Sequence, residues 1–131
     1  MADDNQLMMT ALCQEFSICK VADYSQIDLE SPFVFTGSTD EEKSLVCPTE
    51  LVPQNTVKRD DGWKILRING LLDFSLVGIL ARIATILAEN SIGIFAVSTF
   101  NTDYIFVKKC NFDKAIKALE DAGYIVRKNL I

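Results

Sequence analysis

Residues 62–131 alternate two hydrophobic periods, and the order of those periods constrains the fold more than any other feature of the chain. "GWKILRIN" (62–69) is β-prone and stops at Gly70, so it reads as a strand. In "FSLVGILARIATILAENSIG" (74–93), Leu76, Leu80, Ile83 and Leu87 recur at three- and four-residue steps. Arg82, Thr85, Glu89 and Asn90 take the opposite side, which makes this an amphipathic helix with Ser75 placed to cap it and Gly93 just past its end. "IGIFAVSTF" (92–100) and "DYIFVKKC" (103–110) read as two strands joined by a short turn. "NFDKAIKALEDAG" (111–123) gathers Phe112, Ala115, Ile116, Leu119 and Ala122 on one helical face, with Asn111 to cap it and Gly123 to end it. "YIVRKNLI" closes the run as a strand. The order β-α-β-β-α-β is the split βαβ, or ferredoxin-like, unit, an α+β fold with both helices on one face of an antiparallel sheet. The strands carry little charge at their centres, so the other face also needs a cover: the N-terminal half, a second subunit, or both.

The N-terminal half is rich in strands and poor in helix. "EFSICKVA" (15–22), "PFVFTGS" (32–38) and "KSLVCP" (43–48) read as strands. At an offset of 63 residues, Val34 falls on Val97, Thr36 on Thr99, Thr39 on Thr102, Asp40 on Asp103 and Cys47 on Cys110. These ungapped identities read as a repeated hairpin. In the first copy the helices shrink to "DYSQIDLES" and "PTELVPQN". The expected organisation is a tail (1–9), a degraded strand-rich half (10–61) and a complete unit (62–131), with the boundary in "PQNTVKRDDG" (53–62).

Composition removes several functions. A net charge of −5 and a pI of about 4.6 argue against nucleic acid and anionic membranes as partners. The chain has no histidine, which takes away the commonest general base and metal ligand. Cys13, Cys19, Cys47 and Cys110 form no C-x-x-C pair, which argues against zinc and thioredoxin-type sites, and most sit within or beside apolar strand-like runs, so they read as buried thiols in a reducing compartment. The acidic start "MADDNQLMM" lacks the basic and apolar regions of a signal peptide. The longest apolar stretch, around residues 76–88, is interrupted by Arg82 and Thr85 and is too short to span a bilayer. A cytoplasmic protein without metal or cofactor is expected, and catalysis is not; a small enzyme using Asp103 as a base is the weakest reading.

Among ferredoxin-like families, RNA recognition needs aromatic and basic residues together on the central strands, and "GIFAVSTF" and "DYIFV" do not supply them. A metallochaperone needs paired cysteines in the first loop, and an acylphosphatase-like enzyme needs an arginine there; "NGLLDFSLVG" has neither. A fourth option fits: the residues of this unit resemble the ACT domain, a small-molecule-binding regulatory module. The strand "WKILRING", the stretch "LDFSLVGILARIATILAENSIGI" and the second helix "FDKAIKALEDAGY" resemble it over residues 62–131. "GLLDFSLVGIL" with "IFAVSTFNTDYIFVK" is similar to a branch of small stand-alone bacterial proteins with tandem ACT-like halves, akin to the eukaryotic cytosolic arginine sensor. One departure is that "DFSLVG" stands where many ACT domains carry Asp-x-Pro-Gly.

The resemblance implies a free amino acid held at an interface between domains or subunits, near the first loop and second strand. It brings Asp73, Phe74, Ser75, Leu76 and Gly78 towards Ser98, Thr99, Phe100, Asn101, Thr102 and Asp103. Asp103 would take the ammonium through a charge-assisted hydrogen bond. Backbone N–H groups at Ser75 to Gly78 would take the carboxylate, with Gly78 allowing close approach. Ser98, Thr99, Asn101 and Thr102 would orient the ligand, and Phe74 or Phe100 would wall it. Each has a plainer role: Asn-Thr-Asp is ordinary turn chemistry, Ser75 an N-cap, and Asp73 an acid ahead of a helix. Trp63, Phe95 and Phe106 read as core or interface, and Asp40 as surface. The expected protein is thus a non-enzymatic amino-acid-binding regulator, a homodimer with a protein target; the alternative is a structural or protein-interaction module with a degenerate site.

Overall fold

The computed structural model describes residues 8–69 and 78–128. Its elements are β1 (Met8–Ala11), β2 (Phe16–Val21), β3 (Phe35–Ser38), β4 (Lys43–Pro48), β5 (Thr56–Ile68), α1 (Ile79–Glu89), β6 (Ile94–Ser98), β7 (Asp103–Lys108), α2 (Phe112–Asp121) and β8 (Ile125–Lys128). Short 3-10 turns, Thr49–Leu51 and Lys109–Asn111, follow β4 and β7. The chain divides into two compact units: Gln14–Trp63, and the residues up to Cys13 with those from Lys64 onward.

In the helix-bearing unit the strand order is β6-β7-β5-β1-β8. The ferredoxin-like unit is present, with β1 inserted between its first and last strands. β1 runs antiparallel to β5, with Met9 opposite Ile68, and parallel to β8, with Met9 opposite Val126. A boundary at residue 9 therefore falls inside a strand, and the chain leaves this unit after Cys13 and re-enters it at Lys64. The helices form where the apolar period predicts. Ile79, Ile83 and Leu87 of α1 are buried, as are Phe112, Ala115, Ile116 and Leu119 of α2. They pack on Met9, Ala11, Leu66, Ile68, Ile105 and Val107 from the sheet.

The ends of the helices differ from expectation in part. α2 closes in a Schellman motif: Gly123, at φ 102°, donates to Glu120 O and Tyr124 donates to Leu119 O at 3.1 Å. α1 closes the same way two residues before Gly93, with Ser91 at φ 61° donating to Ala88 O and Ile92 to Leu87 O. Asn111 does not cap α2 through its side chain, because the 3-10 turn feeds directly into the helix. The N-cap of α1 is Gly78, in the left-handed region at φ 86°, rather than Ser75.

The inserted unit has the order β3-β4-β2-β5, antiparallel throughout, which is the same split topology with irregular segments in place of helices. β5 begins at Thr56, well before the expected residue 62, and its first residues pair with β2. Cys19, Val21, Leu45 and Cys47 form the core under Tyr24, Ile27, Val34 and Val52. Ser17, fully buried, donates to Asp61 Oδ1 at 2.6 Å and lies 2.9 Å from Thr49 Oγ1. No described helix is long and apolar enough to cross a membrane.

Candidate functional site

The β6–β7 hairpin carries most of the expected site residues. Its ladder runs from Ile94 opposite Val107 to Ser98 opposite Asp103, leaving residues 99–102 as the turn. Thr99 holds the turn closed: its N–H donates to Thr102 O at 2.9 Å and its hydroxyl to the same oxygen at 3.0 Å. Thr102 is 6% exposed and donates its hydroxyl to Ile68 O at 2.8 Å. Both threonines are thus engaged within the fold, as turn chemistry predicts. Asn101 is exposed, and Phe100 at the tip is 84% exposed.

The β3–β4 hairpin repeats this construction at a different offset from the one the identities give. Ser38 lies opposite Lys43, Thr39 N–H donates to Glu42 O at 2.9 Å, and Thr39 Oγ1 lies 3.4 Å from the same oxygen. Thr39 therefore plays the part of Thr99, not of Thr102, an offset of 60. The same offset aligns Lys43–Pro48 with Asp103–Lys108 and the 3-10 turn Thr49–Leu51 with Lys109–Asn111. The repeat is structural, and the identities at 63 sit three residues out of its register. Asp40 then matches Phe100 rather than Asp103, and it is exposed in an acidic turn with Glu41 and Glu42.

Asp103 is half-buried at the start of β7. Side chains alternate along a strand, so it shares a face with Ile105 and Val107, which belong to the core cluster that includes residues of α1 and α2. β7 is hydrogen-bonded to β5, and Thr102 reaches Ile68, so Asp103 stands at the end of the sheet where β5 finishes. The chain leaves β5 at that end on its way to α1. Gly78, at the start of α1, makes no side-chain cap, and among the described residues no atom beyond its own chain neighbours lies within 4 Å of where its Cβ would be. Asp73, Phe74, Ser75 and Leu76 lie outside the described residues.

On the opposite face of the same unit is an open cleft of about 430 Å³, lined by Thr10, Arg67, Ile68, Asn69, Asn101, Thr102 and Tyr104. Arg67 is its one charged residue. Thr10 lies directly across from Arg67, and its hydroxyl donates to Asn69 Oδ1 at 2.7 Å. Only Asn101 and Thr102 of this set were legible as site residues. The signal for Arg67 is strand alternation: it stands between buried Leu66 and Ile68, so it must face away from the helices. Thr10 could not be found that way, since nothing in "MMTA" announces that it pairs with β5. Among the described residues no cluster of three or more His, Cys, Asp or Glu could hold a metal ion.

Residues 58–121 match the family model of the ACT domain. The solved structure of protein Atu0741 from Agobacterium tumefaciens is 28% identical, with a TM-score of 0.85 over 96% of both chains. A protein of unknown function from Vibrio cholerae, VC0802, described as a possible transport protein, is 21% identical with a TM-score of 0.70 over 92% of both chains. The regulatory subunit of aspartate kinase from Thermus thermophilus is 8% identical with a TM-score of 0.60, over 87% of this chain and 95% of that one. The last two share the fold. No curated protein matches the chain in sequence.

Proposed function

We propose that this chain is a non-enzymatic regulatory protein that binds a free amino acid where β6 turns into β7, and that it works as a homodimer. One observation carries the reading: the half-buried carboxylate of Asp103 lies at the end of the sheet where β5 finishes, on the strand face that also carries Ile105 and Val107, and α1 begins at a bare glycine. An α-amino acid is a zwitterion and needs an anion and a cluster of donors within a few ångströms of each other. Asp103 supplies the first, and the unsatisfied N–H groups of a helix start supply the second. The ACT match over residues 58–121 supports a small-molecule regulatory role. The resemblance to small stand-alone bacterial proteins with tandem ACT-like halves, themselves similar to the eukaryotic arginine sensor, favours a sensor whose target is another protein. Binding would act by linkage, favouring the arrangement in which the ligand's contacts are complete.

A second placement has its own observation, the cleft on the other face, where Arg67 would take the carboxylate and Tyr104 and the two asparagines the rest. Thermal melts against the common amino acids at millimolar concentration separate these readings. A ligand at a hundredfold its Kd stabilises by about 2.7 kcal/mol. Asp103→Ala should abolish that shift with the ligand-free melt nearly unchanged, while Arg67→Gln retains it. The reverse pattern moves the site to the cleft. No shift with any amino acid leaves the protein-interaction module as the better reading. For the dimer, β6 pairs only with β7 among the described strands, so one of its edges is open to a second copy. Light scattering after size exclusion should give about twice 14.6 kDa, and a monomer mass at micromolar concentration would remove that part of the proposal.

A further inference from the structure

The inserted unit buries two thiols against each other. Cys19 on β2 is 3% exposed and Cys47 on β4 is 0% exposed. Cys19 lies opposite Leu45 and Cys47 opposite Ser17, so the two cysteines are diagonal neighbours on one face of the sheet. They belong to one buried cluster with Val21 and Leu45. Arg59 on β5 lies directly opposite Cys19. We propose that Cys19 and Cys47 form a reversible dithiol–disulfide pair, closed by a hydroperoxide and reopened by a thiol reductant.

The two sulfurs are not equivalent. The hydrogen bond from Cys47, then the charge of Arg59 and the hydroxyl of Thr56, draw the Cys19 thiol below its usual range, against the effect of burial. The same hydrogen bond, with burial and the neighbouring Cys19 charge, pushes Cys47 up. Cys19, which has Arg59 directly across from it on β5, is the attacking sulfur and Cys47 the resolving one. In the first step the Cys19 sulfur attacks one peroxide oxygen, the O–O bond breaks, and Cys19 becomes a sulfenic acid as water or an alcohol leaves with the thiol proton. In the second, the Cys47 sulfur attacks the Cys19 sulfur, the S–O bond breaks, and water leaves with the Cys47 proton. The peroxide gains two electrons and the dithiol loses two.

Geometry makes the bridge labile. Diagonal pairs on antiparallel strands have Cα atoms roughly 7–8 Å apart, and a disulfide prefers about 4.4–6.8 Å. Closing it must draw β2 and β4 together by something on the order of an ångström, and a bridge under that strain is readily reduced. The register of β2 against β5 already breaks between Phe16 and Ile18, beside the pair, which gives β2 room to move. The movement would act on Ser17 and its 2.6 Å bond to Asp61.

The test uses the full chain carrying Cys13→Ser and Cys110→Ser, because those two cysteines are exposed and would link separate copies. The folded protein is treated with hydrogen peroxide, then denatured, alkylated with iodoacetamide and weighed intact. The expected product takes up no alkyl group, is lighter than the reduced chain by two hydrogen atoms, and recovers both alkylation sites after dithiothreitol. With Cys47→Ser added, dimedone should trap one sulfenic acid; with Cys19→Ser added, it should trap none. Two alkylated cysteines after peroxide, oxygen added without loss of hydrogen, or a bridge that forms only in denaturant would each overturn the proposal.

Discussion

Ile105→Ala is expected to destabilise the protein by about 2–5 kcal/mol, the range for truncating a fully buried aliphatic side chain whose surroundings cannot collapse into the space. Ile105 is 0% exposed at the middle of β7 and belongs to the cluster in which Ile83 and Leu87 of α1 meet Ala115 and Leu119 of α2. It is thus part of the core that both helices share with the sheet, and each of those elements is held by its own backbone hydrogen bonds. The cost should be graded: Ile105→Val removes one methylene and should cost about 0.5–1.5 kcal/mol. Lys117→Ala, which breaks only the exposed Lys117–Asp121 pair at 3.3 Å, should leave the midpoint within error. Urea unfolding monitored by circular dichroism reads all three. A loss under about 1 kcal/mol for Ile105→Ala at unchanged slope would mean that the two helices do not close over this strand as described.

Period carried the sequence reading of the helix-bearing unit. Ile83, Leu87, Ala115, Ile116 and Leu119 recur at helical spacing, and all five are buried where that spacing puts them. The reading failed where an element has no apolar period to show. "TVKRDD" (56–61) is exposed at all but its first position, yet it is the start of β5. Its strand state comes from the ladder with β2, where Cys19 lies opposite Arg59 and Lys20 opposite Lys58, and not from its own residues. β1 is four residues long and depends in the same way on β5 and β8. Pairing between distant segments is what a single sequence displays least.

The candidate site divides along the same line. The turn "TFNT" and Asp103 were legible because turn residues show their chemistry locally. Arg67, Thr10 and Tyr104 come from three strands and Asn69 from just past the end of β5, and only the ladder brings them to one cleft. The repeat shows a further limit. Identical residues drew attention to an offset of 63, whereas ladder and turn hydrogen bonds place Thr39 on Thr99. Hairpin register is set by where the turn closes, and a turn closed by one threonine hydroxyl keeps that register while its other residues change.

Thr102 tests whether a hydroxyl near the turn serves a ligand or the fold. Thr102→Val keeps the shape and removes the hydroxyl that donates to Ile68 O at 2.8 Å. Thr102 is 6% exposed, so water does not readily replace the lost donor, and leaving a buried acceptor without it costs about 1–3 kcal/mol. The ligand-free protein should therefore lose that stability. Thr102→Ser, which restores the donor at the price of one methyl, should recover most of it. If instead both variants melt like the parent, and only Thr102→Val loses an amino-acid shift, the hydroxyl belongs to the ligand. The first outcome has a consequence for Asp103. Thr102 ties the start of β7 to the end of β5, so the half-buried carboxylate next to it is held by a bond that does not depend on any ligand. A site preorganised in that way pays little to order itself on binding. The affinity lost in Thr102→Val should then be smaller than that lost in Asp103→Ala, by an amount that measures how far the turn, rather than the ligand, positions the acid.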